Sequence, residues 1–174
     1  GTNRPHAMLV PHEPTRTAIS VLKARIDDRG LASAIWSELS DPGDGDAVAE
    51  RLGSGELLIV DRVGILGSLY GMGDLAWVGG GFGSSGLHSV LEPAAWGIPV
   101  LFGPRHANAR EAGELIQAGG AFPVNDADSL AVRLKALVET PADLADAGRR
   151  ALDYVRTRLG AAERVAQLIL QEID

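Results

Sequence analysis

The stretch GGGFGSSGLHSVLEP, residues 79 to 93, holds the residue types best suited to gripping a small anionic ligand. Five glycines fall between Gly79 and Gly86, and a carboxylate, Glu92, follows directly before Pro93. Glycine loses more backbone freedom on folding than any other residue, so such density implies that bare backbone is required. Gly81-Phe82-Gly83-Ser84-Ser85-Gly86 satisfies the dinucleotide fingerprint GxGxxG between a strand and a helix. That fingerprint belongs to the first strand of its fold and needs an acid at the end of the next strand. Here the next strand ends Leu101-Phe102-Gly103-Pro104, with no carboxylate. A P-loop is excluded because no Gly-Lys-Ser/Thr follows. Ser89-Val90-Leu91-Glu92 also fits a capping box, in which the Glu bonds back to the helix N-cap and Pro93 sits in the first turn. A third reading joins both features: glycine-lined amides approach a phosphate while Glu92 accepts both hydroxyls of a ribose. Such a nucleotide site needs no metal if N–H dipoles and an Arg or His neutralise the phosphate.

The surrounding pattern shows what must hold these residues in place. Short apolar runs at 7–11, 32–37, 56–61, 75–80, 98–104 and 121–124 read as strands. Helical patterns lie between them: Thr15 to Asp28 with Ile19, Leu22 and Ile26 on one face, then Ala47 to Leu52, Leu66 to Gly71, the segment carrying Glu92, and Asn108 to Gln117. Residues 40–46 read as a loop. After Val124 the chain reads as helical, with Leu130, Leu134 and Leu137 lining one face and Leu144, Ala151, Val155 and Leu159 another. Gly160 marks a break before a last helix with Val165, Leu168, Ile169 and Ile173 inward. Apolar strands alternating with helices predict an α/β fold, a parallel sheet with helices on both faces and a helical C-terminus. Ligands of such sheets bind at the carboxyl ends of the strands, here after Pro11, Asp61, Gly79 and Phe102.

Bulk properties narrow the partners. The 174 residues suffice for one domain, and 45% hydrophobic with 22% charged residues is ordinary for a globular chain. A formal charge of −7 and only two lysines, Lys23 and Lys135, argue against nucleic acid. The absence of cysteine excludes disulfides and thiolate metal sites. No apolar run approaches the roughly 18 residues of a membrane span.

Further polar residues have ordinary alternatives. Asp44-Gly45-Asp46 mimics a metal-binding DxD but reads as a surface turn, and Asp41, Asp44, Asp46 and Glu50 miss calcium-loop spacing, so no metal site is expected. His88 could meet a phosphate or carboxylate; Arg105 and His106 read as a solvated turn. Trp77 and Trp96 are expected in the core, while Trp36 fits core or surface.

Residues 60–122, with the series glycine loop, Leu-Glu-Pro, Gly-x-Pro-Val and Phe-Gly-Pro, closely resemble the donor-binding half of 3-deoxy-D-manno-octulosonic acid (Kdo) transferases. The run LVPHEPTR, 9–16, resembles it more loosely. The resemblance implies a Rossmann-like domain, the C-terminal half of a two-domain GT-B glycosyltransferase of lipopolysaccharide biosynthesis. It implies CMP-Kdo as donor, lipid A precursor as acceptor, inversion at the anomeric carbon, and neither metal nor cofactor. Glu92 would hold the ribose hydroxyls, and Gly80, Gly81, Gly83, Ser84, Ser85, Gly86, His88 and Ser89 would face phosphate and sugar. Val63, Gly64 and Ile65 would frame the nucleotide, and Arg16 would meet the phosphate, with His12 and Glu13 at the rim. Arg105 and Asn108 are further candidates, although Asn108 and Glu111 also have the spacing of an N-cap and its reciprocal acid. The resemblance further implies that the first strand, the acceptor domain, the membrane association and the general base lie upstream of Gly1, and that the chain is inactive alone. It puts the whole enzyme in the cytoplasm at the inner face of the inner membrane. Two departures bear on the donor: Ser85-Gly86-Leu87-His88-Ser89 replaces the family's Gly-Gly-His-Asn, and Gly64-Ile65-Leu66 replaces its Gly-Glu-Leu. A UDP-sugar GT-B enzyme and a non-catalytic nucleotide-binding domain are the alternatives.

Overall fold

The computed structural model describes residues 6–39, 48, 56–83, 86–160, 165, 166 and 169. The expected loop at 40–46, most of the helix at Ala47 to Leu52, Ser84, Ser85, Leu168 and Ile173 lie outside the described residues. The chain forms two compact units, Gly1–Met72 and Gly73–Asp174.

The first unit holds a parallel sheet of β1 (Ala7–Leu9), β2 (Ser33–Ile35) and β3 (Leu57–Ile59), ordered β1-β3-β2. Ala7 and Ser33 both pair with Leu57, so the three strands are in step. The two-residue period of a strand then sorts its side chains. Leu9, Ile35, Leu57 and Ile59 meet Ile19, Leu22 and Ile26 of helix α1 (Arg16–Asp27). Met8, Ala34, Leu58 and Val60 join Trp36, Val48 and Leu69 on the other face. Trp36 is therefore core. Helix α1 starts where the Thr15 hydroxyl accepts the Ala18 N–H at 3.2 Å, an N-cap that satisfies one otherwise orphaned donor. A short helix α2 (Leu66–Leu69) follows the turn after β3.

The second unit repeats the logic with β4 (Ala76–Trp77), β5 (Val100–Phe102) and β6 (Ala121–Pro123), parallel and ordered β4-β5-β6. Val78, Val100, Phe102 and Ala121 face α3 (Leu91–Ala95), α4 (Arg110–Ala118) and α6 (Pro141–Arg156). Leu101 and Phe122 face α5 (Ala127–Glu139) through Leu130, Leu134 and Leu137, as their spacing predicts. A side chain on Gly148 of α6 would collide with the Gly97 carbonyl, and one on Gly120 would come within 2.7 Å of the Ala151 backbone. The first approach presses α6 onto the end of α3, the helix that carries Glu92, and the second presses it onto the segment between α4 and β6.

Several expectations differ from the structure. Trp77 is 45% and Trp96 55% exposed rather than core. Trp77 lies on an edge strand, where its ring stacks on Phe82 at 6.0 Å, and Trp96 is the C-cap residue of a five-residue helix. Leu159, Val165 and Ile169 are exposed instead of inward. Helix α6 ends at Arg156, before Leu159 can join its buried face.

Candidate functional site

The glycine turn leaves β4 at its carboxyl end and folds back on itself. Gly80 and Leu87 form an antiparallel bridge, the Gly81 N–H donates to the Gly86 carbonyl at 3.3 Å, and the His88 N–H donates to the Gly79 carbonyl at 3.2 Å. Gly80, Gly81 and Gly86 have φ of 93°, 77° and 78°, the left-handed region that side chains disfavour. A Cβ on Gly80 would collide with the Gly86 carbonyl oxygen, and one on Gly81 would come within 2.9 Å of the Gly103 carbonyl oxygen. Gly103 in turn would press on Gly81 and on the Phe82 ring at 2.7 Å. The Arg105 N–H donates to the Gly81 carbonyl at 2.8 Å, fixing the turn to the segment that leaves β5. Much of the glycine requirement is thus met by the fold itself. Gly83 is different: it lacks a positive φ, and a Cβ there meets nothing within 4 Å among the described residues.

Glu92 lies in the first turn of α3 and is exposed. The N-cap residue is Val90, with no side-chain hydrogen bond, so the capping box spelled by Ser89 and Glu92 does not form. Its carboxylate has no partner among the described residues, and the helix dipole favours an anion there. Ser89 and His88 are exposed beside it, and the His88 ring lies 3.5 Å from the position of a Gly79 Cβ. From Gly79 to Ala109 the sequence holds one acid, Glu92, and the basic residues His88, Arg105 and His106, against −7 for the chain. The β5 exit carries exposed Arg105 and Asn108. Asn108 is not the N-cap of α4; that residue is Ala109, without a side-chain bond, so the expected pairing with Glu111 is absent.

The other expected ligands belong to the first unit. His12 and Arg16 follow β1, and Val63, Gly64 and Ile65 follow β3, so both turns stand at the carboxyl end of neighbouring parallel strands. Arg16 opens α1, exposed and without a partner among the described residues, at an end where a cation is disfavoured unless an anion approaches. Val63 is 73% exposed, Gly64 takes φ 82°, and Ile65 turns into the apolar cluster under the sheet. Sequence reasoning missed Asp61, whose carboxylate accepts the Ser37 N–H at 3.0 Å and its hydroxyl at 2.6 Å. That pair ties the exits of β2 and β3 together.

Two concavities lie elsewhere in the second unit. One of about 560 Å³ is lined by Glu114, Gln117, Arg150, Tyr154 and Arg158, and one of about 500 Å³ by Pro123, Ser129, Val132 and Arg133. Glu114, Arg150 and Arg158 of the first are engaged in ion pairs. Glu114 accepts from Arg110 at 2.7 Å, the Tyr154 hydroxyl at 2.8 Å and Arg158 at 3.1 Å, while Arg149 and Arg150 bond Asp146. The Arg110 and Tyr154 hydrogen bonds hold the Glu114 carboxyl down to about 2, and burial followed by Glu114 pushes the Tyr154 hydroxyl up. This is a latch between α4 and α6. The glycine turn with Glu92 joins backbone donors to an unengaged carboxylate, and it is the better candidate for ligand chemistry.

No protein-family model matches the chain. It is 38% identical over 138 residues to a 3-deoxy-D-manno-octulosonic acid transferase of Aquifex aeolicus, covering 79% of this chain and 35% of that protein. It is 29% identical over 170 residues to the Bordetella pertussis protein of the same name, covering 94% and 36%. The chain spans about a third of the length of these curated relatives. Its fold matches the crystal structure of the C-terminal CMP-Kdo binding domain of WaaA from Acinetobacter baumannii, with a TM-score of 0.69 at 16% identity, covering 88% of this chain and 90% of that one. The sequence matches make the chain a relative of the Kdo transferases, and its fold is that of their C-terminal domain.

Proposed function

We propose that this relative of the Kdo transferases is the donor-binding domain of an enzyme that transfers Kdo from CMP-Kdo to a lipid A precursor. The observation that carries the reading is Glu92: exposed, unused by its own helix, and placed directly after a glycine turn at the carboxyl end of β4. Its two oxygens can accept the 2′ and 3′ hydroxyls of the cytidine ribose, while backbone N–H groups of the turn balance the phosphate charge. In an inverting transfer the acceptor hydroxyl attacks the anomeric carbon, the bond from that carbon to the phosphate oxygen breaks, and CMP departs with the electron pair. The proton of the attacking hydroxyl goes to a general base. We assign no carboxylate of this chain that role; the base belongs to the remainder of a protein with the length of the relatives. The reading brings with it charge neutralisation by amides instead of a metal, and action at the cytoplasmic face of the inner membrane. Among the described residues no helix is long and apolar enough to cross a membrane.

Calorimetric titration of the chain with CMP, UDP and NAD tests the proposal. CMP is expected to bind best, and Glu92→Ala to weaken it at least tenfold, since hydrogen bonds to a charged group contribute about 1.5–3 kcal/mol each. A preference for UDP points to a UDP-sugar enzyme and a preference for NAD to a dehydrogenase-like site. Unchanged CMP affinity in Glu92→Ala with the fold intact refutes the ribose contact.

A further inference from the structure

His106 stands in the turn that leaves β5, with its backbone tied at both sides. Its N–H donates to the Pro104 carbonyl at 3.1 Å, and its carbonyl accepts the Ala109 N–H at 2.9 Å. The ring packs on Phe102, centroids 5.4 Å apart at 59°, and Phe102 is fully buried in the core. Nδ1 is enclosed by protein and has no hydrogen-bond partner among the described residues. An enclosed polar atom left unpaired destabilises the fold, and native proteins tolerate few. A position that needed only an aromatic ring over Phe102 would be served better by phenylalanine, which brings no such atom. The location matters as much as the chemistry. The preceding residue, Arg105, donates its N–H to the glycine turn, and Gly103 lies against Gly81, so His106 belongs to the strip of chain that abuts the turn.

We propose that His106 is a ligand-binding residue of the nucleotide-sugar site: its imidazole donates to an anionic oxygen of the bound donor the hydrogen bond that the free chain leaves unmade. This rests on the donor-site reading above. With Phe102 packed against the ring, a half-turn about Cβ–Cγ exchanges the edge bearing Nδ1 with the edge bearing Cδ2. Two groups of the donor carry a suitable oxygen, the phosphate and the sugar carboxylate.

The test uses this chain and its variants His106→Phe and His106→Asn, titrated with CMP and with CMP-Kdo while thermal unfolding is followed in parallel. The Phe variant is expected to unfold at or above the parent temperature yet to bind about tenfold more weakly or worse, as a lost charge-assisted hydrogen bond implies. The Asn variant, whose amide reaches the position of Nδ1, is expected to recover part of that loss. Weakening already with CMP identifies the phosphate; weakening with CMP-Kdo alone identifies the carboxylate. Parent-like affinity of the Phe variant for both ligands overturns the assignment, as does a lower unfolding temperature with no selective loss of binding. If Glu92→Ala abolishes binding and His106→Phe does not, the His106 assignment fails while the donor site stands. If the unaltered chain binds neither ligand, both fail.

Discussion

Replacing Gly80 and Gly83 separately by Ala divides the glycines that serve the fold from those that serve a ligand. At Gly80 the backbone has φ 93°, which costs an alanine about 1–2 kcal/mol. The new methyl would also collide with the Gly86 carbonyl oxygen and lie 3.0 Å from the Leu87 Cα. Relief requires the turn to open, forfeiting the bonds from Gly81 to Gly86 and from His88 to Gly79, about 1 kcal/mol each. Together these give about 3–4 kcal/mol, or a fall of about 6–16 °C in Tm for a chain of this size. Against a typical stability of about 5–15 kcal/mol the variant stays folded at 25 °C. Gly83→Ala meets nothing within 4 Å among the described residues and has no positive φ, so its Tm is expected within a degree or two of the parent or slightly higher, because alanine restricts the unfolded chain. Its affinity for CMP is expected to fall, since the methyl would stand where backbone must approach the phosphate. Thermal unfolding by circular dichroism and calorimetric CMP titration read the two effects independently. Equal destabilisation by both substitutions, or a Gly80→Ala variant as stable as the parent, would refute the division.

Other outcomes follow from the packing. Thr15→Ala removes the N-cap of α1 and is expected to cost about 1 kcal/mol in urea unfolding, with Thr15→Ser restoring it. The Glu114 carboxyl is held at about 2 in the folded chain, below its ordinary 4.5, so its stabilising contribution is complete above pH 4.5 and disappears as pH falls through 2. Glu114→Gln should therefore be less stable than the parent at pH 7, with the gap narrowing from pH 4.5 downward; a gap independent of pH would show that Arg110 and Tyr154 do not bind the ionised form. Tyr154→Phe removes one donor to the same carboxylate and is expected to lower Tm by a few degrees without altering CMP affinity, because the latch lies apart from the glycine turn.

The α/β class was legible because the period of two sorts each strand between two apolar clusters. Leu57 and Ile59 pack toward α1, Leu58 and Val60 away from it, and Leu101 and Phe102 divide between α5 and the cluster of α3, α4 and α6. The same rule could not find the exposed Trp77. An apolar strand reads as buried on both faces, yet β4 is an edge of its sheet, and edge position is a property of topology rather than of local composition. The caps failed for a related reason: Ser89-Glu92 and Asn108-Glu111 have the right spacing, but α3 begins after Val90 and α4 after Ala109, one residue later than each motif requires. That shift leaves the carboxylate of Glu92 unengaged by its own helix.

The glycines show where a motif and a fold make the same demand. GGGFG between a strand and a helix reads as a phosphate cradle, and the resemblance to the Kdo transferases rests partly on it. In the structure Gly80 and Gly86 are needed by the hairpin, and Gly81 and Gly103 by the contact between two successive strand exits. The partner of Gly81 lies 22 residues away in Phe-Gly-Pro, so only the parallel pairing of β4 with β5 shows that the two glycines answer one another. A tight turn packed on its neighbour is also what gives a ligand fixed amides instead of mobile ones, because a loop that had to be ordered on binding would lose affinity to that ordering. The structural role of Gly80 and Gly81 is therefore part of the case for a binding site, and Gly83 and Glu92, whose side-chain positions meet no partner among the described residues, are the positions where ligand and fold can be separated by experiment.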